Sequence, residues 1–167
     1  VQKKNLTKEI RTVGTVAKDP ELYQAEAEYI QAFQSLKQAE TGGIEEVIQQ
    51  AKRLVHSTRI RLTSMGLSET LIEEIAVRTE PDQSLLYAQP GQPVWVYAKI
   101  YEYELPLVKV DQAVKVDLAS SAGVQFQGVI RAIDPVVDSA TRTTRIRFKL
   151  KEASAAMRPD MYVNIHI

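Results

Sequence analysis

The feature that most constrains this fold is a change in the spacing of apolar residues along the chain. Between residues 19 and 66 apolar side chains recur every three or four positions, the period of an amphipathic helix. From residue 92 onward they alternate with polar side chains, the period of a half-buried strand. The sequence therefore predicts an α+β fold that joins a helical block to an antiparallel β module.

The helical block is predicted to be an antiparallel hairpin. The first helix begins with Asp19 as N-cap and Pro20 at its first position, and it runs to about Ala39. Residues 41–43 (Thr-Gly-Gly) break it, and a second helix spans residues 44–66. A link this short cannot separate two helices that each need to bury an apolar stripe. The stripe of the second helix has the 4-3 spacing of a coiled-coil seam: Ile44, Ile48, Ala51, Val55, Thr58, Leu62 and Met65.

A short third helix and about six strands complete the predicted architecture. Ser68 is expected to cap the third helix, which ends near Val77. One strand, within residues 6–17, precedes the helices, and the others follow them. Six strands suffice for a small closed barrel without unpaired edges, so the hairpin is an insertion within a β-barrel. The later strands are placed at residues 94–101, 114–118, 123–133, 146–150 and 161–167.

Composition excludes several classes of function. The 21 basic residues equal the 21 acidic ones, so the chain has no net positive charge to attract nucleic-acid phosphates. There is no cysteine, which excludes disulfides, thiolate metal sites and thiol nucleophiles. No apolar run approaches the roughly 18 residues that span a bilayer.

Histidine and methionine are the remaining candidates for metal ligands. His56 and His166 have no second ligand at a spacing typical of metal sites. The thioethers of Met65, Met157 and Met161 suit Cu(I) or Ag(I), yet their positions on apolar faces favour core packing. We therefore predict no catalytic residues, no cofactor and no metal site.

Five short segments, in order along the chain, resemble one family. They are similar to segments of periplasmic adaptors (membrane fusion proteins) of resistance-nodulation-division tripartite efflux systems, particularly the heavy-metal (copper/silver-type) subgroup. The segments are residues 19–29 (DPELYQAEAEY), 61–68 (RLTSMGLS), 93–105 (PVWVYAKIYEYEL), 134–143 (DPVVDSATRT) and 157–163 (MRPDMYV).

The resemblance implies a function without catalysis. Such an adaptor bridges an inner-membrane pump and an outer-membrane channel for export of heavy-metal ions or other toxic compounds, and neighbouring copies form a ring. It implies a periplasmic location, with the full-length protein anchored to or associated with the inner membrane, and no nucleic-acid partner. The exposed end of the hairpin is expected to meet the channel: Glu40, Thr41, Gly42 and Gly43.

The sequence departs from the family pattern in two ways, and each departure leads to a prediction. Both halves of the usual lipoyl-like domain are apparently missing, so chain breaks or engineered joins are expected near residues 18 and 90. Asp160 stands where the family usually has Gly and should still adopt a left-handed turn. The predicted domains are a barrel (1–18 and 91–167), a hairpin domain (19–80) and a remnant linker to the missing domain (81–90).

A second hypothesis is an oligonucleotide-binding-like barrel that binds single-stranded nucleic acid. Residues 141–147 (TRTTRIR) form a basic strand, and Trp95 and Tyr101 could stack on bases. The zero net charge argues against it.

Overall fold

The structure, a computed structural model, describes residues 8–120 and 123–167. Within these residues it contains three α-helices and six β-strands. In chain order they are β1 (Arg11–Val16), α1 (Pro20–Gly42), α2 (Glu45–Ser64), α3 (Glu69–Ala76), β2 (Val94–Tyr101), β3 (Ala113–Leu118), β4 (Gln125–Ile133), β5 (Thr143–Leu150) and β6 (Tyr162–His166). Short 3₁₀ turns lie at Gln83–Leu85 and Glu102–Leu107.

The strands close into an antiparallel barrel in the order β1-β2-β5-β4-β3-β6. Alternate residues of each strand point inward, so the barrel interior is filled by aliphatic and aromatic side chains. Val96, Val116, Ile130, Phe148 and Ile165 are all fully buried there. The prediction of an α+β fold with a small closed barrel is confirmed.

Barrel closure depends on a glycine in β1. Gly14 pairs with Ala98 on one side and Val163 on the other. A Cβ added at Gly14 would lie 2.4 Å from the Tyr97 carbonyl oxygen and 2.6 Å from Ile165 Cδ1. The missing side chain therefore allows β1 to approach its neighbours closely.

The helix ends follow the predicted capping residues. Asp19 accepts a hydrogen bond from Leu22 N at 2.9 Å, and Ser68 accepts one from Leu71 N at 3.3 Å. The first helix continues past its predicted end at Ala39 and runs to Gly42. Gly43 then caps it in the left-handed conformation with φ 70°. The two long helices form the predicted antiparallel hairpin.

The helical block packs on the outer face of the barrel. Its own core is formed by apolar residues of all three helices together with Trp95, which points outward from β2. Leu67, between α2 and α3, forms an isolated bridge with Ala132 on β4. The hairpin is therefore seated directly on β2, β4 and β5.

The two places where chain breaks were predicted are continuous and hydrogen-bonded. Ala17 N donates to Trp95 O at 2.9 Å, and Asp19 N donates to Leu85 O at 2.7 Å. Gly91 N donates to Ala153 O at 3.0 Å. Each short connection is thus fixed by the layer that it joins, and the expectation of engineered joins at these two places stays a prediction.

The two departures from the family pattern were the missing lipoyl-like domain and Asp160. All strands in the described residues belong to the single barrel, and neither half of a lipoyl-like domain lies among them. Asp160 has φ 66°, so the predicted left-handed turn is confirmed. The division into domains at residues 18, 80 and 90 stays a prediction.

Candidate functional site: the hairpin and its junction with the barrel

The predicted hairpin tip lies at the end of the two helices that is remote from their packed core. Glu40, Thr41, Gly42 and Gly43 are all exposed. A Cβ added at either glycine would meet no atom within 4 Å. The tip is therefore a small surface that a partner can approach closely.

The seam of α2 is exposed at its tip end and buried at its barrel end. Leu62 has an exposed fraction of 0%, Ala51 of 9% and Ile44 of 57%. We call residues 20–32 and 55–64 the near half of the hairpin, and residues 33–42 and 45–54 the far half. Residues of the near half form a hydrophobic core with α3 and Trp95, and among the described residues no far-half side chain belongs to that core.

An open groove runs along the far half. It was missed in the sequence, although Val47 and Leu54 lie seven residues apart beside the predicted seam. Both are about half exposed, at 47% and 50%. Small residues of α1, among them Ser35 and Ala39, form the opposite wall. The groove thus offers aliphatic side chains beside a flat helix surface, a shape that suits another helix.

At the other end of the hairpin, Arg147 on β5 lies beneath both hairpin roots. Its exposed fraction is 1%. The guanidinium Nη1 donates to Met65 O, the C-cap of α2, at 2.5 Å, and it also pairs with Asp134. Nε lies 3.8 Å from Asp19 Oδ2, the N-cap of α1. One side chain therefore contacts the start of α1, the end of α2 and the loop after β4.

Tyr97 completes this cluster. Its hydroxyl donates to Asp19 Oδ2 at 2.6 Å, and its ring lies 5.2 Å from the Arg147 guanidinium carbon. Burial raises the pKa of Tyr97, so the phenol stays a hydrogen-bond donor. Asp19 thus receives hydrogen bonds from both α1 and β2.

A second polar cluster lies two residues further along β5. Lys149 pairs with Asp82, donates to Ser84 Oγ at 2.7 Å, and lies 4.7 Å from the Trp95 ring centroid. Trp95 Nε1 donates to Asp82 Oδ2 at 3.0 Å. Glu26 of α1 accepts the Asp82 N–H at 2.8 Å. This cluster ties α1, the segment after α3 and the barrel together.

The pKa values of the two carboxylates in the second cluster, Glu26 and Asp82, are shifted in opposite directions. Burial raises the pKa of Glu26, and the hydrogen bond from Asp82 N and the charge of Arg78 offset this only in part. Burial would also raise the pKa of Asp82, yet Lys149, Ser84 and Trp95 outweigh it and lower that pKa to about 2. Burial lowers the pKa of Lys149 despite its pairing with Asp82.

These contacts bear on the nucleic-acid hypothesis. Arg147 and Trp95 have exposed fractions of 1% and 2%, so neither can reach a phosphate or a base. Tyr101 is exposed and stacks on Tyr103 with ring centroids 5.5 Å apart. The basic strand and the aromatic platform do not form one accessible surface, so no observation favours this hypothesis.

The histidines and methionines lie apart from one another. His166 has Glu9 Oε1 3.0 Å from Nδ1 and Asp117 Oδ2 3.3 Å from Nε2, on opposite edges of its ring. His56 is exposed on α2. In residues 8–120 and 123–167, no group of three or more His, Cys, Asp or Glu is arranged to hold a metal ion.

The methionines lie where core packing was predicted. Met157 is fully buried in the barrel core. Met65 and Met161 are partly buried against the helical core and the barrel core respectively. Over the same described part of the chain, no helix is both long and apolar enough to cross a bilayer.

Comparison with known proteins identifies the barrel. Residues 93–167 match the sequence model of the CusB-like β-barrel domain of resistance-nodulation-division systems. This match assigns residues 93–167 to the CusB-like β-barrel domains. The resemblance found in the sequence is confirmed. No curated protein matches the chain significantly.

Solved structures match most of the chain at low identity. ZneB from Cupriavidus metallidurans is 13% identical, with 95% of this chain and 97% of that chain covered and a TM-score of 0.48. A MacA-MexA chimera with the Pseudomonas aeruginosa MexA α-hairpin domain is 14% identical, with 97% and 81% covered and a TM-score of 0.47. The membrane fusion protein Spr0693 of Streptococcus pneumoniae is 11% identical, with 96% and 85% covered and a TM-score of 0.39. Because all three TM-scores are below 0.5, the family assignment rests on the sequence model.

Proposed function

We propose that this chain is the hairpin-and-barrel core of a periplasmic adaptor that bridges an inner-membrane resistance-nodulation-division pump and an outer-membrane channel. The observation that carries the proposal is a CusB-like barrel bearing a helical hairpin whose far half contributes no side chain to either hydrophobic core of the described residues. Such a chain performs no chemistry. It works by holding two partners at a fixed separation.

The hairpin has the dimensions of a spacer. At 1.5 Å per residue, the 23 residues of α1 extend about 35 Å. The second helix runs back beside it, so the rod resists bending better than a single helix would. A rod anchored at one end and free at the other can reach a second protein while the barrel stays on the first.

The tip is the proposed contact with the channel. Its residues, Glu40 to Gly43, are exposed, and Gly42 and Gly43 present no side chain. Helix ends of the channel could therefore approach the backbone closely. The groove beside Val47 and Leu54 is the proposed contact with a neighbouring adaptor, because assembly into a ring would cover its half-exposed aliphatic side chains.

The proposed cargo is heavy-metal ions or other toxic compounds. This rests on the CusB-like family match and on the copper/silver-type resemblance of the local motifs. The pump would move the cargo, and the adaptor would complete the conduit. The proposed location is the periplasm, in association with the inner membrane.

A bulky substitution at the tip tests this proposal. Gly42 ends α1 without a positive φ, and a side chain there meets open space, so Gly42→Trp should fold normally. In cells that depend on the adaptor for metal resistance, the full-length Gly42→Trp protein should lose resistance and its cross-links to the channel.

The matched control is Gln34→Trp, an exposed position on the outer side of α1 within the same far half. This variant should keep resistance. Full resistance in Gly42→Trp, with both variants expressed equally, would show that the tip does not contact the channel.

A further inference from the structure

Arg147 is buried although Arg145, on the same face of β5, is half exposed. This difference needs an explanation. The Arg145 side chain is 48% exposed, whereas that of Arg147 is 2% exposed. A buried guanidinium is costly unless its charge is paired and its donors are satisfied. The charge of Arg147 is paired with Asp19 and Asp134, and Nη1 donates to the Met65 carbonyl, whereas Nε has no hydrogen-bond partner among the described residues.

Two of those contacts are the roots of the hairpin. Asp19 begins α1, and Met65 ends α2. The apolar contacts under the hairpin, such as Leu67 and Trp95, resist its separation from the barrel but favour no particular direction. The hydrogen bond from the planar guanidinium to Met65 O does have direction, and the Asp19 carboxylate lies beside Nε. Arg147 therefore adds, at the two roots themselves, an orientation that apolar packing lacks, while the Lys149 cluster ties α1 to the barrel further along.

We propose that Arg147 is a positioning residue that fixes the angle of the hairpin on the barrel, so that rod and barrel move as one rigid body. Its use in spanning two partners rests on the proposed function, whereas the rigidity itself does not. A lysine carries the charge without the fork of donors, so Arg147→Lys should not restore the fixed angle.

The distance between tip and barrel measures this directly. Because the chain has no cysteine, Thr41→Cys and Lys115→Cys accept two spin labels at defined places. Both residues are exposed, one at the tip and one on β3. Double electron-electron resonance on the whole chain should give one narrow distance distribution.

Substitution of Arg147 should broaden that distribution at least twofold, in Arg147→Met and in Arg147→Lys. Arg145→Met is the matched control, because Arg145 lies on the same face and shares Asp134 but does not contact the hairpin. It should leave the width unchanged. Circular dichroism and the fluorescence of the single tryptophan, Trp95, report whether each variant is folded.

Each outcome decides the proposal. An unchanged width in folded Arg147→Met, or a broad distribution in the parent chain, would overturn it. If Arg147→Met does not fold, Asp19→Asn replaces it, since an amide oxygen still caps α1 while the charge facing Arg147 is lost. Broadening in Asp19→Asn supports the proposal, and no broadening overturns it. Neither result depends on a pump or a channel, so the proposed function can fail separately.

Discussion

The near and far halves of the hairpin have the same apolar period but different surroundings. In the near half the stripe is covered, and Tyr29 and Leu62 have exposed fractions of 1% and 0%. In the far half Val47 and Leu54 have exposed fractions of 47% and 50%. The period of a sequence thus predicts which face of a helix is apolar, while the fold decides what covers that face. The far half carries apolar surface that remains half exposed in the described residues.

The largest effect expected from this comparison is a difference between two identical substitutions on α2. Leu62→Ala should lower the free energy of unfolding by about 3 kcal/mol, because it leaves a cavity in the helical core. Leu54→Ala, at a half-exposed site, should cost under about 0.5 kcal/mol. Urea unfolding of both variants measures the difference. Equal losses would show that the two halves are equally packed.

The next effect concerns the charges that fasten the near half to the barrel. The pKa of Asp82 is lowered to about 2 from 3.8, which corresponds to about 2 kcal/mol of stability. This stability is present above pH 3.8 and is lost as the pH falls through 2. Asp82→Asn should therefore be less stable than the parent chain at pH 5, and the gap should close toward pH 2. Urea unfolding at several pH values measures it, and a gap independent of pH would contradict the assignment.

A smaller effect of opposite sign is expected at Glu26. Its pKa is raised by burial, so the folded state binds the proton more tightly than the unfolded state does, and stability falls as the pH rises above 4.5. Glu26→Gln keeps an oxygen for the Asp82 N–H and should remove this decline. Thermal unfolding of both chains between pH 4 and 8 tests it. A decline as steep as that of the parent chain would exclude Glu26 as its source.

A substitution in the far-half groove should have the smallest effect on the free energy of unfolding. Its effect on the association of adaptors should be large. Val47→Asp should change the free energy of unfolding by no more than about 0.5 kcal/mol, since Val47 is 47% exposed. It should nevertheless weaken association between full-length adaptors, because a charge would enter an apolar contact. Sedimentation of the full-length protein measures this. Unchanged association would remove the groove from the proposed ring contact.

Local chemistry made much of the fold predictable from the sequence. The caps at Asp19 and Ser68, the left-handed turn at Asp160 and the strand alternation depend on residues close together in the chain. Such signals act over a few residues, so neighbouring positions are enough to detect them. The strand order, in which β5 lies between β2 and β4, depends on distant pairings and was not predicted.

The junction shows why the rest could not be predicted. Alternation along β5 placed Arg145, Arg147 and Lys149 on one polar face, which suggested a solvent-exposed basic strand. The face is polar, yet a layer of helices covers two of its three residues. A period of two separates the faces of a strand, but it does not distinguish water from a second layer of protein. Two of the carboxylates that pair with these residues lie more than 60 positions away: Asp82 pairs with Lys149, and Asp19 lies beside Arg147.

The most direct test of this account is a photo-cross-link made in cells by the full-length adaptor. A photoreactive residue at Thr41, in the far half, should capture an outer-membrane channel protein identified by mass spectrometry. The same residue at Glu73, exposed on α3 above the near half, should not capture the channel. Capture of the channel from position 73 and not from position 41 would contradict the claim that the free end of the hairpin is the part that meets a partner.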